Sequence, residues 1–353
     1  MDLVVTVPPS AGDAHLTAPT DRCGLGKYAH RVNPVDLLVI AVLVLAVVGG
    51  IRSGFIATLY GLVSWLLSLL LAFGTLGGAA KLVVDLTGMP APAARAIGFV
   101  AVLLVAEGLF ALGGRFAIWP LVRVVHASTA GRVLDRALGV VPSVLRALLV
   151  TAIGLAALIV LPVGNDVRNA IDGSRIGRAL VSSVAAAQPY LGQLLGGDAG
   201  ALFVTKIDAD RRQELELPEG LAPQADPQAE AQMLSLLNEE RLAVGLRPLR
   251  VDPRLVPVAR AHSEEMFRLR YFGHQSPTKG SPFDRIDAAG IKYSRAGENL
   301  AYAQSVAVAH RGLMASEGHR ENILRPEFTR VGIGVIGAGP YGRMFTQVFL
   351  TPP

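Results

Sequence analysis

Residues 297–324, GENLAYAQSVAVAHRGLMASEGHRENIL, place Glu298, His310, Glu317 and His319 within about two helical lengths of one another. Carboxylates and neutral imidazoles hold divalent cations, move protons or bind polar ligands. The same side chains also serve as the polar skin of a helix. Glu298 at a helix start would meet the positive end of the dipole, and Ser316 with His319 suits a turn. From these residues alone, a metal or catalytic site, a ligand pocket and a plain surface all stay open.

The elements that must position these groups belong to a chain of two characters. Its 353 residues are 51% hydrophobic and only 17% charged, against about 25% charged in soluble domains. Residues 1–163, 164–226 and 227–353 carry net charges of +4, −3 and +4. No basic run is dense enough for nucleic acid, and the mild positive balance suits an anionic membrane or wall polymer. Cys23 is the single cysteine, which excludes an intrachain disulfide and a cysteine-only zinc site.

The first 34 residues lack the order of a cleavable signal and read as a flexible tail. Apolar runs then predict four membrane spans near 35–51, 54–78, 96–120 and 139–163, each close to the ~20 residues a bilayer core requires. Arg115, Arg123, Arg132 and Arg136 crowd the connection between spans three and four, whereas only Lys81 and Arg95 lie between spans two and three. The dense connection is expected in the cytoplasm, which puts both termini outside. Glu107 is a carboxylate in mid-span, a position where charge is costly. It reads either as a functional group or as a hydrogen-bonded contact between helices.

Three features of this half carry a family likeness: Asp36 opening span one, the Gly50–x–Arg52–x–Gly54–Phe55 turn, and Leu134–Asp135–Arg136–x–Leu138–Gly139. Residues 34–180 resemble the colicin V production protein family, small bacterial inner-membrane proteins required for bacteriocin production and often fused to an extracytoplasmic domain. The resemblance implies a place in the inner membrane and, as one reading, a role as accessory to transport or export.

Residues 166–226 read as amphipathic helix followed by a charged, Pro-containing linker. Beyond residue 227, apolar spacing predicts helices at 228–245, from Asp252 or Pro253 to Leu269, at Phe283–Ile286 and at 303–316. A short helix stopped by Pro326 follows, then a hairpin turning at Gly337–Gly342. In this order come NEERLAVGLRPL, HSEEM, YFGHQSP, RIDAAGI, GENLA, GHRENIL and VGIGV. This series resembles the CAP superfamily of cysteine-rich secretory, antigen 5 and pathogenesis-related proteins. The fold expected is thus an all-α bundle of four spans over 35–165, then an α+β, CAP-type α-β-α sandwich with a small antiparallel sheet over 227–353.

The CAP resemblance implies a cleft lined by two histidines and two glutamates. Carried onto this chain, it selects His274, Glu298 and His319, with Glu317 in place of the second acid by a one-residue shift. His262 and His310 match no cleft position. His274 and His319 would be the ligands of a zinc ion, with carboxylates as a third ligand or as orienters of the rings. Ser276 lies two residues after His274, but no nucleophile elbow surrounds it, so a serine triad is not expected. The favoured reading is a membrane anchor for an extracytoplasmic CAP region that binds a lipid, peptide or cell-wall ligand. A metal-dependent hydrolase tethered to the membrane is the alternative.

Overall fold

The computed structural model describes residues 4–6, 33–161, 163–195, 205–207 and 212–353. Most of the expected tail lies outside these residues. Its strand β1 (Val4–Thr6) lies within them, paired antiparallel with residues 295–297.

The membrane half comprises α1 (Pro34–Ser53), α2 (Phe55–Gly74), α3 (Leu76–Thr87), α4 (Ala91–Val125), α5 (Thr129–Leu138) and α6 (Val140–Val160). Four stretches are long and apolar enough to cross a bilayer: Pro34–Ser53, Phe55–Gly74, Ala91–Gly114 and Thr129–Val160. Asn33 caps α1, accepting from the Val35 amide at 2.8 Å, and Pro34 supplies a preset first turn.

The turn between α1 and α2 rests on Gly54, whose φ of +80° disfavours any side chain. A Cβ there would stand 1.8 Å from Asp135 Oδ2. Asp135 fills that space as the cap of α2, taking the Ile56 amide at 3.1 Å and His126 Nε2 at 2.8 Å. The turn and the Leu–Asp–Arg segment, distant in sequence, thus form one joint at one end of the bundle.

Two further helices, α7 (Asn165–Gly173) and α8 (Arg175–Leu195), follow the last span. Asp36 of α1 caps α8, accepting from Ser174 Oγ at 2.6 Å and the Ile176 amide at 2.9 Å. The remaining chain holds β2 (Thr205–Lys206), β3 (Gln213–Glu214), β4 (Gln224–Ala225), α9 (Pro227–Ala243), β5 (Arg250–Val251), α10 (Leu255–Arg268) and β6 (Tyr271–Phe272). It ends with α11 (Pro282–Ala288), β7 (Arg295–Ala303), α12 (Val306–Ala315), α13 (Glu317–Leu324), β8 (Arg330–Gly337) and β9 (Arg343–Thr351).

The main sheet runs β1-β7-β9-β8-β4, with β2 also on β7 and β5 on β8. All its pairs are antiparallel except β5–β8. Strands β2 and β4 of this sheet, Thr205–Lys206 and Gln224–Ala225, lie inside the segment expected to be helix and linker. Alternate residues feed two layers, as the pleat requires. Ala301, Ala303, Val331, Ile333, Val335, Phe345 and Phe349 pack with α9, α12 and α13. Ala296, Val348 and Leu350 pack with α10 and α11, while Leu300, Tyr302 and Met344 meet Met266, Phe267, Tyr271 and Phe272. Fully burying each such aliphatic or aromatic side chain contributes about 1.5–3 kcal/mol.

Glycine lets α10 lie directly on β8. A Cβ on Gly334 would come within 2.2 Å of the Arg260 backbone nitrogen. This is the physical content of the VGIGV motif.

The two halves share a core. Val39, Leu155 and Ile159 of the spans cluster with Ile171 and Val181 of α7 and α8, and with Ala229 and Met233 of α9. A polar joint reinforces the contact. Arg343 of β9 donates to Asp172 Oδ2 at 2.8 Å, Asn169 Oδ1 at 2.9 Å and Asp226 Oδ2 at 3.1 Å, all buried. A bonded arginine of this kind is costly to unpair. It fixes α7 to the sandwich.

Candidate functional site

Glu298 lies in the middle of β7, not at a helix start. It is 2% exposed and faces the α10/α11 layer. Both oxygens are committed: His274 Nδ1 reaches Oε1 at 2.8 Å, and Arg285 Nη2 donates to Oε2 at 2.7 Å. His262 Nε2 stands 4.0 Å from Oε1 and 3.1 Å from the Gly273 carbonyl. Burial would raise the Glu298 pKa, but Arg285, His262 and His274 outweigh it and hold the carboxyl at about 2. The group is a carboxylate at neutral pH.

An ionised carboxylate only accepts hydrogen bonds, so His274 Nδ1 carries the proton between them. That fixes the ring and leaves Nε2 for another partner, the arrangement in which a carboxylate orients an imidazole. Arg285 ties the loop to the same point, since its Nη1 donates to the carbonyls of His274 and Gly280, each at 2.9 Å. The position of Arg285 follows from a capping box at the start of α11, in which Ser281 and Asp284 exchange bonds.

A second carboxylate sits behind the first. Glu265 accepts from Tyr271 OH at 2.9 Å and from the Thr278 hydroxyl, with His262 Nδ1 at 3.8 Å. His262 and these hydroxyls hold Glu265 well below the usual carboxylate range. Burial and Glu265 push the Tyr271 phenol up. The Ser276 hydroxyl accepts the amides of Thr278 at 3.1 Å and Lys279 at 2.8 Å, so it builds the loop.

His319 comes from the other layer. Its Nδ1 meets Ser316 Oγ at 2.7 Å, and its carbonyl accepts from Asn299 Nδ2 at 3.0 Å. Asn322 Nδ2 donates to Asn299 Oδ1 at 3.0 Å. Neighbouring residues of a strand point to opposite faces, so Glu298 organises His274 on one face and Asn299 organises the His319 segment on the other. Glu317 is exposed in the first turn of α13. Between the β1 register at residues 295–297 and the β2 register at 302–303, residues 298–301 have no strand on that edge among the described residues.

Among the described residues no group of three or more His, Cys, Asp or Glu is arranged to hold a metal ion. Both oxygens of Glu298 are already spent. Arg285, His262 and Glu265 escape the sequence reading because only tertiary approach brings them to Glu298. The HSEEM motif marks two of the positions without their role.

In the membrane half, Glu107 of α4 pairs with Arg146 Nη2 of α6 and accepts from Ser64 Oγ of α2 at 3.3 Å. The mid-span acid is a contact among three helices.

Residues 35–185 match the family model described as colicin V production protein, and residues 234–349 match that of the cysteine-rich secretory protein family, CAP. The chain thus carries a colicin V production-like membrane region followed by a CAP region. It is 44% identical over 130 residues to YkwD of Bacillus subtilis, covering 36% of this chain and 49% of that protein. It is 39% identical over 108 residues to the membrane protein YlbC of the same organism, covering 30% and 31%. The match therefore spans half or less of each relative. Among solved structures, an extracellular SCP-domain protein from Bacillus anthracis is 34% identical, with 35% of this chain and 41% of that one covered at a TM-score of 0.33.

Proposed function

We propose that this membrane protein holds its CAP region outside the cytoplasm and uses the imidazole of His274 to bind a polar ligand: a lipid, a peptide or a cell-wall fragment. The observation that carries the reading is the bonding of Glu298. A buried carboxylate that spends one oxygen on Arg285 and the other on His274 holds a ring in place, with Nε2 turned to its partner. Binding is favoured over hydrolysis because the nearby hydroxyls are engaged, Ser276 in its own turn and Thr278 and Tyr271 on Glu265.

The sidedness has separate support. The joint between Gly54 and Asp135 gathers Arg52, Arg132 and Arg136 at one end of the bundle, while α7 and the sandwich leave from the other. The basic end belongs in the cytoplasm. Alkaline phosphatase and green fluorescent protein fused after Pro353 test this: phosphatase activity without fluorescence is expected, and the reverse pattern puts the CAP region inside. Zinc titration of the purified full chain in detergent tests the metal alternative. A calorimetric signal lost in both His274→Ala and His319→Ala would favour the hydrolase over the binding reading.

A further inference from the structure

A second polar cavity lies where the sandwich meets the membrane half. It measures about 330 Å³ and is walled by α8, α9 and α12. Arg175, Arg178 and Ser182 come from α8, Glu240 from α9, and His310 and Arg311 from α12. Three guanidinium groups face one carboxylate, so the cavity is cationic. Arg311 Nη1 donates to the Ser182 carbonyl at 2.6 Å, which ties α12 to α8 and leaves its other donors available.

The informative residue is His310. It is 7% exposed and neither ring nitrogen makes a close hydrogen bond; Glu240 Oε1, 3.6 Å from Nε2, pairs with the ring only when it is protonated. A buried imidazole whose Nδ1 has no hydrogen bond and whose Nε2 has only a long contact to a carboxylate has room for a ligand or water. An imidazole N–H beside three arginines calls for an anionic acceptor with several oxygens.

The depth of the cavity narrows the choice. Asp36, the third residue of the first span, caps the start of α8. Arg175 and Arg178 therefore lie within about one helical turn, roughly 5 Å, of that span's end. That is the level of lipid headgroups.

We propose that this cavity binds a phosphate group, with Arg175, Arg178 and Arg311 as charged donors and His310 as the buried one. The phosphate of an anionic phospholipid has the right chemistry at this depth, and a free phosphate anion shares that chemistry. The site is separate from Glu298 and His274 and stands without the function proposed for them.

The test uses the full chain in neutral detergent. Thermal unfolding is followed on titration with short-chain phosphatidylglycerol, short-chain phosphatidylcholine or inorganic phosphate. The same titrations are run on Arg175→Gln/Arg178→Gln and on a control, Arg320→Gln, at an exposed position outside the cavity. Stabilisation by phosphatidylglycerol but not by phosphatidylcholine or phosphate is expected, with affinity about tenfold or more weaker in the double variant and unchanged in the control. An equal response to inorganic phosphate supports the site and assigns it to the free anion. Should the double variant match the native chain in every titration, or neither anion stabilise it, the proposal is overturned. Native mass spectrometry keeps the test decisive if the double variant unfolds early: native chain that retains neither phosphatidylglycerol nor phosphate after exposure to each also ends the proposal.

Discussion

Each half of the molecule sets a glutamate against an arginine, and the two pairs are built differently. Glu107 closes on Arg146 and Ser64 between three spans, so its charge is cancelled where it stands. Glu298 is more deeply enclosed, and where the second oxygen of Glu107 takes a hydroxyl, that of Glu298 takes the His274 ring, with Arg285 on the other. The first pair joins helices. The second passes the orientation of a buried charge to a ring with one nitrogen left over. A buried acid in this chain is therefore read by what it does with its second oxygen.

The largest effect that sharpens this contrast is expected at Arg285. Arg285→Met strands Glu298 without its cation and frees the 274–280 loop. A loss of about 3–5 kcal/mol is expected, read as an earlier unfolding transition of the detergent-solubilised chain. In the membrane half, Arg146→Leu is expected to cost about 2–3 kcal/mol by leaving Glu107 unpaired among apolar helices. Glu107→Leu with Arg146→Leu should recover most of that loss, because removing both charges of a pair held away from water is often neutral. A double variant as weak as the single one would mean that Glu107 does more than pair. Asp135→Ala removes the cap of α2 and should cost about 1 kcal/mol in the same assay.

Acid titration gives a subtler difference. The Glu298 pKa is depressed from its ordinary 4.5 to about 2, so its contribution to stability is complete above 4.5 and is lost as the pH falls toward 2. Unfolding followed across that window should show an acid limb that is reduced in Glu298→Gln. Identical limbs would show that Glu298 does not carry the linkage.

The sequence made the two halves unequally legible. The spans show themselves because four runs of apolar residues have no other use at such length. The β8–β9 hairpin shows itself by alternation. Strand β7 does not, since GENLAYA is buried on both faces and lacks the period of two, which is why Glu298 reads as a helix start. The family likeness selects His274, Glu298 and His319. It does not reveal that Glu298 and Asn299 send the two histidine segments to opposite layers, a consequence of strand geometry. Arg285 was hidden among ordinary surface arginines until α11 brought it to Glu298. The Arg343 joint, spanning 171 positions from Asp172, leaves no local trace. The 166–226 segment therefore read as a membrane-face helix and linker, while the structure builds α7 and α8 into the shared core.

The binding role proposed for the CAP region depends on Glu298 holding the ring of His274. Nitrogen-15 spectra of histidine-labelled full chain, assigned with His274→Ala, test this directly. A proton on Nδ1 of His274, hydrogen-bonded at neutral pH and lost or exchanged to Nε2 in Glu298→Ala, is the expected result. A bare Nδ1 in the native chain, or a His274 signal indifferent to Glu298→Ala, would contradict it.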